Sequence, residues 1–268
     1  MANTASARIA DLKPGDGYVQ SFARGLEVIR SFSAKAPSQT LTEVAGRAGL
    51  SRAGARRILL TLEALGYVRS DGKLFSLSPR ILDLGFSYLS SMPIWNLAEP
   101  VMEALVAQVH ESSSAAVLDG TDIVYVLRVP TRKIMSISLG VGSRLPAYCT
   151  SMGRMLLSAL AQDDLMALLR ASDLAARTKT TLTDAKEIAA KVAQARRQGW
   201  SLVNQELEEG LISLAAPIVD RSGQMVAALN ISGQANRTSA RVMQDTMLEP
   251  LLEAARTISR QLDGTTVD

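Results

Sequence analysis

The segment Leu41–Leu77 constrains the fold of this chain most, because its apolar spacing predicts two short helices followed by a hairpin. Thr40 and Glu43 form an S/T-x-x-E capping box at the start of the first helix. Gly49 ends the apolar pattern, and Ser51 is placed to cap the second helix. The outer face of the second helix is basic, with Arg52, Arg56 and Arg57. Two helices joined by a glycine-containing turn, the second with a basic face, indicate a helix-turn-helix.

A predicted hairpin follows the second helix. Residues 67–70 and 73–77 are strand-like, and Asp71-Gly72 fits a two-residue type I′ turn between them. A hairpin in this place makes the fold a winged helix, with Arg69 and Lys73 placed to meet phosphates. We therefore predict DNA contacts from Thr40, Ser51, Arg52, Ala53, Arg56, Arg57, Arg69 and Lys73. The alternative is a small helical hairpin whose basic face is simply solvated.

Composition and charge narrow the class of protein. With 268 residues and 47% hydrophobic content, the chain is long enough for two domains and too apolar for general disorder. Ten basic and five acidic residues lie between Tyr18 and Ser90, a net charge of about +5 in a chain whose total is +3. A basic first part beside a slightly acidic remainder indicates that only the first part binds double-stranded DNA.

Other features exclude several classes. A single cysteine, Cys149, and a single histidine, His110, exclude an intrachain disulfide and leave too few ligands for a Cys/His zinc site, so we expect no metal and no cofactor. No apolar run approaches the roughly 20 residues of a membrane span. The first residues lack the apolar core of a signal peptide. We therefore expect a cytoplasmic protein that makes no membrane contact.

Further helices complete the N-terminal half. A helix before the helix-turn-helix would finish a three-helix core through Phe22, Leu26, Ile29 and Phe32. After the wing, Ser78-Pro79 opens a helix that is apolar on two faces, and we expect it to pair with its counterpart in another subunit. Met92-Pro93 marks the domain boundary. The predicted organisation is a flexible tail over 1–17, a winged helix-turn-helix over 18–78, a linker and dimerisation helix over 79–92, and a second domain over 93–268.

The second domain is predicted to be α+β. Strands are expected over residues 114–119, 123–129, 134–139, 201–205, 211–219 and 225–232, the first two joined by a Gly120-Thr121 turn. Helices are expected over residues 97–110, 152–160, 163–170, 184–198 and 239–262. Strands grouped as hairpins and flanked by helices indicate an antiparallel sheet.

The chain as a whole resembles the IclR family of bacterial transcriptional regulators. The resemblance rests on YVQSFARGLEVIRSF, RVPTRKIMSISLGVGSRLPAYCTSMGR, QELEEGLISLAAPI and ALNISG taken in order, and within the family it is nearest to the Pca and Pob regulators of aromatic-acid catabolism. It implies a winged helix, a linker helix and a GAF-like effector-binding domain, and it implies homodimers that pair into tetramers. Carried over by position, the effector-binding residues are Arg144, Tyr148, Thr150, Ser151, Asn204, Glu206, Ser213, Asn230 and Ser232.

The chemistry of these residues suits an organic acid. Asn230 and Ser232 share one face of a strand, Ser151 precedes a helix whose N-terminus favours an anion, and Arg144 could bind a carboxylate through two hydrogen bonds. Each has a simpler interpretation: Arg144 as a surface cation, Ser151 as a helix N-cap, and the strand pair as partners of local backbone. Relatives often carry an acidic residue in place of Asn204, and this departure leaves the identity of the ligand open.

The predicted function is a ligand-responsive, DNA-binding regulator of an aromatic-acid catabolic operon, expected to be an activator. Its effector would be protocatechuate, 4-hydroxybenzoate or a β-ketoadipate-type acid. One alternative is an architectural DNA-binding protein whose large domain serves only for assembly. The other is an enzyme, but the G-x-S-x-G, S-x-x-K, H-E-x-x-H and P-loop motifs are absent from the sequence, so no catalytic residue is predicted. A Cys149/His110 pair lies in no recognisable catalytic signature.

Overall fold

The computed structural model describes residues 17–91, 94–131 and 139–264. The chain divides after Ser91 into two compact units. The predicted tail lies, except for Gly17, outside the described residues, and so does the predicted strand over 134–139, except for Leu139. None of the described helices is long and apolar enough to cross a membrane.

The N-terminal unit is a winged helix-turn-helix. Its helices are α1 (Gln20–Arg30), α2 (Leu41–Arg47) and α3 (Arg52–Ala64), and its strands are β1 (Ser38–Thr40), β2 (Val68–Ser70) and β3 (Leu74–Leu77). The predicted capping box is confirmed: the Thr40 backbone N–H donates to Glu43 Oε2 at 2.8 Å, and the Glu43 backbone N–H donates to Thr40 Oγ1 at 3.3 Å. Ser51 caps α3 as predicted. The strand β1, which was not predicted, pairs with β3 to extend the wing.

Two details of the N-terminal prediction are wrong. In the wing, Ser70 pairs with Phe75 and the Asp71 backbone N–H bonds to the Leu74 carbonyl, so the connecting pair is Gly72-Lys73 rather than Asp71-Gly72. Positive φ occurs at Gly72 alone of that pair, whereas a type I′ turn needs it at both positions. The turn is displaced because the Asp71 carboxylate accepts hydrogen bonds from the next backbone N–H groups.

The second error concerns α1. Phe22 is 68% exposed and Leu26 is also exposed, although both were predicted to lie in the core. The predicted core positions of Phe32 and Ile29 are confirmed, and Val28, which was not predicted, is also buried in the core. The helix therefore carries apolar residues on two sides, and one side is left on the surface of this unit.

The helix after the wing begins as predicted. The Ser78 hydroxyl accepts from the Arg80 backbone N–H, Pro79–Ile81 forms a 3-10 turn, and α4 continues over Leu82–Ser90. None of the α4 residues is buried by the described part of the chain, and Leu82, Leu84, Phe86 and Tyr88 are all exposed.

The C-terminal unit is an antiparallel sheet flanked by helices, which confirms the predicted α+β class. Its helices are α5 (Ile94–Val109), α6 (Ser151–Leu157), α7 (Gln162–Ala171), α8 (Ala185–Gln198) and α9 (Ala240–Gly264). Its strands are β4 (Ser112–Asp119), β5 (Asp122–Val129), β6 (Arg144–Pro146), β7 (Ser201–Asn204), β8 (Leu211–Val219) and β9 (Met225–Gln234). The described strands are hydrogen-bonded in the order β6-β5-β4-β9-β8-β7. The predicted Gly120-Thr121 turn is confirmed, since Asp119 pairs with Asp122.

Helices α6, α7 and α8 cover one face of this sheet. Small residues of the sheet, Ala116, Ala215 and Ala228, leave room for side chains of these helices in a shared core. A 3-10 turn over Ala147–Cys149 leads into α6, and the start of α6 therefore lies close to the sheet.

Candidate DNA-binding surface and polar cavity

The predicted DNA-contact residues lie mostly on the surface of the winged helix. Arg52, Ala53, Arg56 and Arg57 are exposed on α3, and Arg69 and Lys73 are exposed on the wing. The Ser51 hydroxyl accepts a hydrogen bond from the Gly54 backbone N–H at 3.1 Å. Thr40 is half-buried, and its hydroxyl donates to Glu43 Oε2 at 2.8 Å. The arginines are therefore free to contact a ligand, whereas the two hydroxyls already serve as helix caps.

The tip of the wing is held by Asp71. Its carboxylate accepts the backbone N–H groups of Leu74, at 2.7 Å, and Lys73, at 2.9 Å. These hydrogen bonds hold the pKa of Asp71 below its ordinary value. The carboxylate is thus used to shape the turn, and the Lys73 side chain remains exposed.

A small cavity lies where the start of α6 meets the sheet in the C-terminal unit. It contains five of the predicted effector residues, namely Thr150, Ser151, Ser213, Asn230 and Ser232. The remaining lining residues are Tyr125, Cys149, Met152, Val203, Leu207 and Leu211. We call this the polar cavity. Its volume is about 20 Å³, which is room for about one water molecule.

Strand register explains how the sheet contributes to the polar cavity. Ser232 lies opposite Ser213, and Asn230 lies opposite Ser114. The Asn230 amide accepts from the Ser114 backbone N–H at 2.9 Å and donates to the Ser232 hydroxyl at 2.9 Å. The amide is therefore fixed in orientation by its neighbours before any ligand binds.

The start of α6 forms the opposite wall. Thr150, not Ser151, is the N-cap: its hydroxyl accepts from the Gly153 backbone N–H at 3.2 Å and donates to the Pro146 carbonyl at 3.0 Å. Ser151 is the first residue of the helix, and it is buried with its side chain at the cavity. Helix and turn approach so closely here that a Cβ atom on Gly153 would lie 2.1 Å from the Ala147 carbonyl oxygen.

The other predicted effector residues do not line the polar cavity in the described part of the chain. Arg144 is exposed and binds two carboxylates, with Nη1 2.6 Å from Asp119 Oδ2 and Nε 3.2 Å from Asp122 Oδ2. Asn204 is exposed at the end of β7. Tyr148 is buried, and its hydroxyl donates to the Ala175 carbonyl at 2.5 Å. The Arg144 guanidinium is thus paired with aspartates in this structure, and its role as the carboxylate partner of an effector stays a prediction.

The Glu206 carboxylate also has a partner, Arg154, which was not among the residues predicted from the sequence. Arg154 is 2% exposed and binds both carboxylate oxygens of Glu206, at 2.7 Å and 2.5 Å. Arg154 Nε also donates to the Tyr148 carbonyl, and the Leu182 backbone N–H donates to Glu206 Oε2. This buried ion pair ties α6 to the β7–β8 loop, and it gives Glu206 a structural place beside the cavity.

Hydroxyls of three threonines hold the same loop from outside. Thr178 and Thr180 donate to the Gln205 carbonyl at 2.6 Å and 2.7 Å, and Thr181 donates to the Glu206 carbonyl at 2.6 Å. Gln205 has a positive φ of 61°, a backbone conformation that is uncommon for a residue with a side chain. The loop that carries Leu207 over the cavity is therefore fixed by polar contacts on both sides.

Two titratable side chains that line the polar cavity, Tyr125 and Cys149, are kept neutral by burial. Burial raises the pKa of Tyr125 to about 12 and the pKa of Cys149 to about 11. Both side chains therefore stay protonated near neutral pH. Among the described residues, no group of three or more histidine, cysteine or acidic side chains could hold a metal ion.

A winged helix joined to an α+β domain with an enclosed polar cavity defines the class of one-component transcriptional regulators. The profile of the IclR helix-turn-helix domain matches residues 21–72, and that of the bacterial transcriptional regulator IclR C-terminal domain matches residues 86–260. The chain therefore belongs to the IclR family of bacterial transcriptional regulators. This membership sets aside the enzyme alternative.

Two relatives are named as regulators of particular genes. The Pca regulon regulatory protein of Pseudomonas putida is 44% identical over 92% of this chain and 85% of its own length. The p-hydroxybenzoate hydroxylase transcriptional activator of Acinetobacter baylyi is 34% identical over 88% of this chain and 89% of its own length.

Solved structures agree with the fold. A transcriptional regulator of Rhodococcus sp. RHA1 is 48% identical with a TM-score of 0.83, covering 91% of this chain and 98% of that one. An IclR homologue of Microbacterium hydrocarbonoxydans, solved in complex with 4-hydroxybenzoate, is 25% identical with a TM-score of 0.80, covering 90% of this chain and 98% of that one.

Proposed function

We propose that this protein activates an operon for aromatic-acid catabolism in response to protocatechuate, 4-hydroxybenzoate or a β-ketoadipate-type acid. The observation that carries the proposal is the 44% identity to a Pca regulon regulator over 92% of the chain. The homologue bound to 4-hydroxybenzoate supports the same class of effector. An enclosed cavity that combines hydroxyls, an amide and aliphatic walls also suits a small hydroxylated acid.

In this proposal the effector binds in the polar cavity and contacts Thr150, Ser151, Ser213, Asn230 and Ser232. The apolar part of the ligand packs against Leu207, Leu211 and the other aliphatic lining. A cavity of roughly 150 Å³ is needed to hold a benzene ring. Because the polar cavity measures about 20 Å³, its walls move apart when the effector binds. That movement gives the ligand a way to change the conformation of the domain.

The winged helix binds operator DNA in this proposal. Helix α3 enters the major groove with Arg52, Arg56 and Arg57, while Arg69 and Lys73 on the wing bind flanking phosphates. The exposure of these side chains supports the assignment. The protein acts in the cytoplasm, where its operator DNA is found.

We propose a homodimer that assembles through α4, and a dimer of dimers built from it. The exposed apolar side chains of α4, together with those of Phe22 and Leu26 on α1, support an interface on the N-terminal unit. A symmetric dimer presents two recognition helices to two half-sites of an operator. The residues over 79–92 then form the linker between DNA-binding and effector-binding domains.

Calorimetry on the full chain with each candidate acid, followed by operator footprinting with and without the acid, tests the effector class. Ser151→Ala and Asn230→Ala are expected to weaken effector binding about tenfold to a hundredfold, because each removes a buried hydrogen bond to a charged ligand. Operator binding without effector remains. Asn236→Ala is the matched control, since Asn236 is an exposed asparagine that follows β9 and is not a predicted effector residue.

The absence of binding heat with every acid, from a folded sample that still protects its operator, would contradict the effector class and favour the architectural alternative. Undiminished binding in both cavity variants would contradict the residue assignment alone.

A further inference from the structure

An irregularity in β5 turns an arginine toward the polar cavity. Ser114 pairs with Arg128 and Ala115 pairs with Leu127, but Ala116 pairs with Tyr125, so one residue of β5 is left without a partner. In a regular strand, residues three apart point to opposite faces of the sheet. The extra residue of a β-bulge reverses this, and Tyr125 and Arg128 therefore share a face.

That face is the one on which the polar cavity lies. Tyr125 lines the cavity. The Arg128 guanidinium donates from Nη1 to the Ser114 hydroxyl at 3.2 Å, and the backbone N–H of Ser114 donates to Oδ1 of Asn230, another residue that lines the cavity. Arg128 also acts electrostatically on the Tyr125 phenol. The positive charge of Arg128 is therefore placed at the edge of the cavity.

Arg128 lacks a carboxylate partner among the described residues. Its guanidinium is half-buried and can donate five hydrogen bonds, of which the Ser114 hydroxyl takes one. Arg154 and Arg144, by contrast, are each held by acidic side chains. A partly buried guanidinium without a counter-ion is unfavourable, and an anion at this place would neutralise it.

The Tyr125 hydroxyl is the second group at this edge that lacks a partner. Tyr125 is 4% exposed, and within the described part of the chain its hydroxyl makes no hydrogen bond. Burial raises the pKa of Tyr125 to about 12, so the group is a hydrogen-bond donor. A donor on a residue that lines a cavity can be satisfied there by an acceptor from a ligand.

We propose that Arg128 and Tyr125 together bind the carboxylate of the effector, with Arg128 as its counter-ion and the Tyr125 hydroxyl as a second donor. This rests on the proposed function, and it names which end of the acid lies where. The carboxylate lies against β5, and the ring hydroxyl or the distal end of the acid lies toward Ser151 at the start of α6. The preference of the site for acids over neutral analogues then comes from two side chains of β5, Arg128 and Tyr125.

Calorimetry with the full chain tests the proposal, with 4-hydroxybenzoate and protocatechuate as probes and the neutral amide of each as the comparison. Arg128→Gln is expected to weaken binding of the acids by roughly tenfold to a hundredfold, and to leave the amides little changed, because only the acids carry the charge that Arg128 neutralises. Arg128→Lys retains part of the acid affinity. Tyr125→Phe weakens the acids by about tenfold to a hundredfold, the range for one hydrogen bond to a charged group.

Arg221→Gln is the matched control, since Arg221 is an exposed arginine in the turn between β8 and β9 and is not a predicted effector residue. Its acid affinity stays at the wild-type value. Thermal unfolding of each variant separates a binding defect from a folding defect, and Arg128→Lys and Tyr125→Phe provide the comparison if Arg128→Gln is unstable.

Equal losses for acid and amide in Arg128→Gln, or no loss for either, overturn the assignment while leaving the proposed function intact. A wild-type protein that binds none of the acids refutes the proposed function instead, and this assignment with it.

Discussion

Replacing Glu206 distinguishes its structural role, as the ion-pair partner of Arg154, from the effector contact that was predicted from the sequence. Glu206→Gln leaves the Arg154 guanidinium 2% exposed and without its counter-ion. Breaking a buried pair from one side costs about 3–5 kcal/mol. We expect about 3 kcal/mol for Gln, whose amide oxygen still accepts one hydrogen bond, and about 5 kcal/mol for Ala. For a domain of this size, 3 kcal/mol corresponds to a melting temperature lowered by roughly 6–12 °C.

Urea and thermal unfolding of the full chain, followed by circular dichroism, measure this loss in the transition of the C-terminal unit. Asp119→Asn is the matched control, because it breaks an ion pair of Arg144 at the surface and should cost at most about 1 kcal/mol. The double variant Arg154→Met with Glu206→Leu should recover much of the stability, since it removes both charges together. A Glu206→Gln protein with wild-type stability and no affinity for the acids would refute the anchoring role and restore Glu206 as an effector contact.

The remaining predictions concern DNA binding, assembly and the close approach beneath the cavity. The Arg56→Ala, Arg57→Ala double variant should weaken operator binding by about 1–3 kcal/mol for each lost base contact, measured by fluorescence anisotropy. Unchanged operator affinity would contradict the assignment of α3 to the major groove. Leu84→Glu with Phe86→Glu should abolish operator binding, and it should abolish dimerisation as measured by analytical ultracentrifugation. A variant that still binds operator DNA as a dimer would contradict the role of α4 in the dimer interface. Gly153→Ala should destabilise the C-terminal unit by about 1–3 kcal/mol and impair effector binding, because its Cβ overlaps the Ala147 carbonyl; wild-type melting and affinity would contradict that packing.

The sequence predicted best the features that depend on near neighbours. The capping box of Thr40 with Glu43 is an example, because both hydrogen bonds join residues three apart. The bounds of α8, predicted over residues 184–198, agree with the structure because its caps, Asp184 and Gly199, also bond to residues two to four apart in the sequence. The wing turn lies one residue from its predicted place because the Asp71 carboxylate accepts the Lys73 and Leu74 backbone N–H groups, which the Asp-Gly turn pattern does not take into account.

The residues of the cavity could be predicted where they share a face of one strand. They could not be predicted where the partner of a charged side chain lies far away in the sequence. Asn230 and Ser232 could be grouped because they lie two residues apart on one strand, whereas Ser213, which lies opposite Ser232, was predicted only from the family resemblance. Arg144 could not be placed, since its aspartates lie 22 and 25 residues earlier in the chain. Tyr125 and Arg128 escaped notice because a bulge breaks the alternation on which strand patterns depend.

The small volume of the polar cavity has a thermodynamic consequence for signalling. Because only an expanded form holds a ring-sized acid, the measured dissociation constant equals the intrinsic one divided by the fraction of molecules that are expanded. In the proposed binding mode, the lining side chains distinguish one acid from another, and the contacts that hold the β7–β8 loop set the fraction of expanded molecules. Loosening the hydroxyl of Thr178 or Thr180 from the Gln205 carbonyl would then lower the concentration at which every acid acts, without changing their order of preference. Sensitivity and selectivity thus belong to different residues, and each can change without the other.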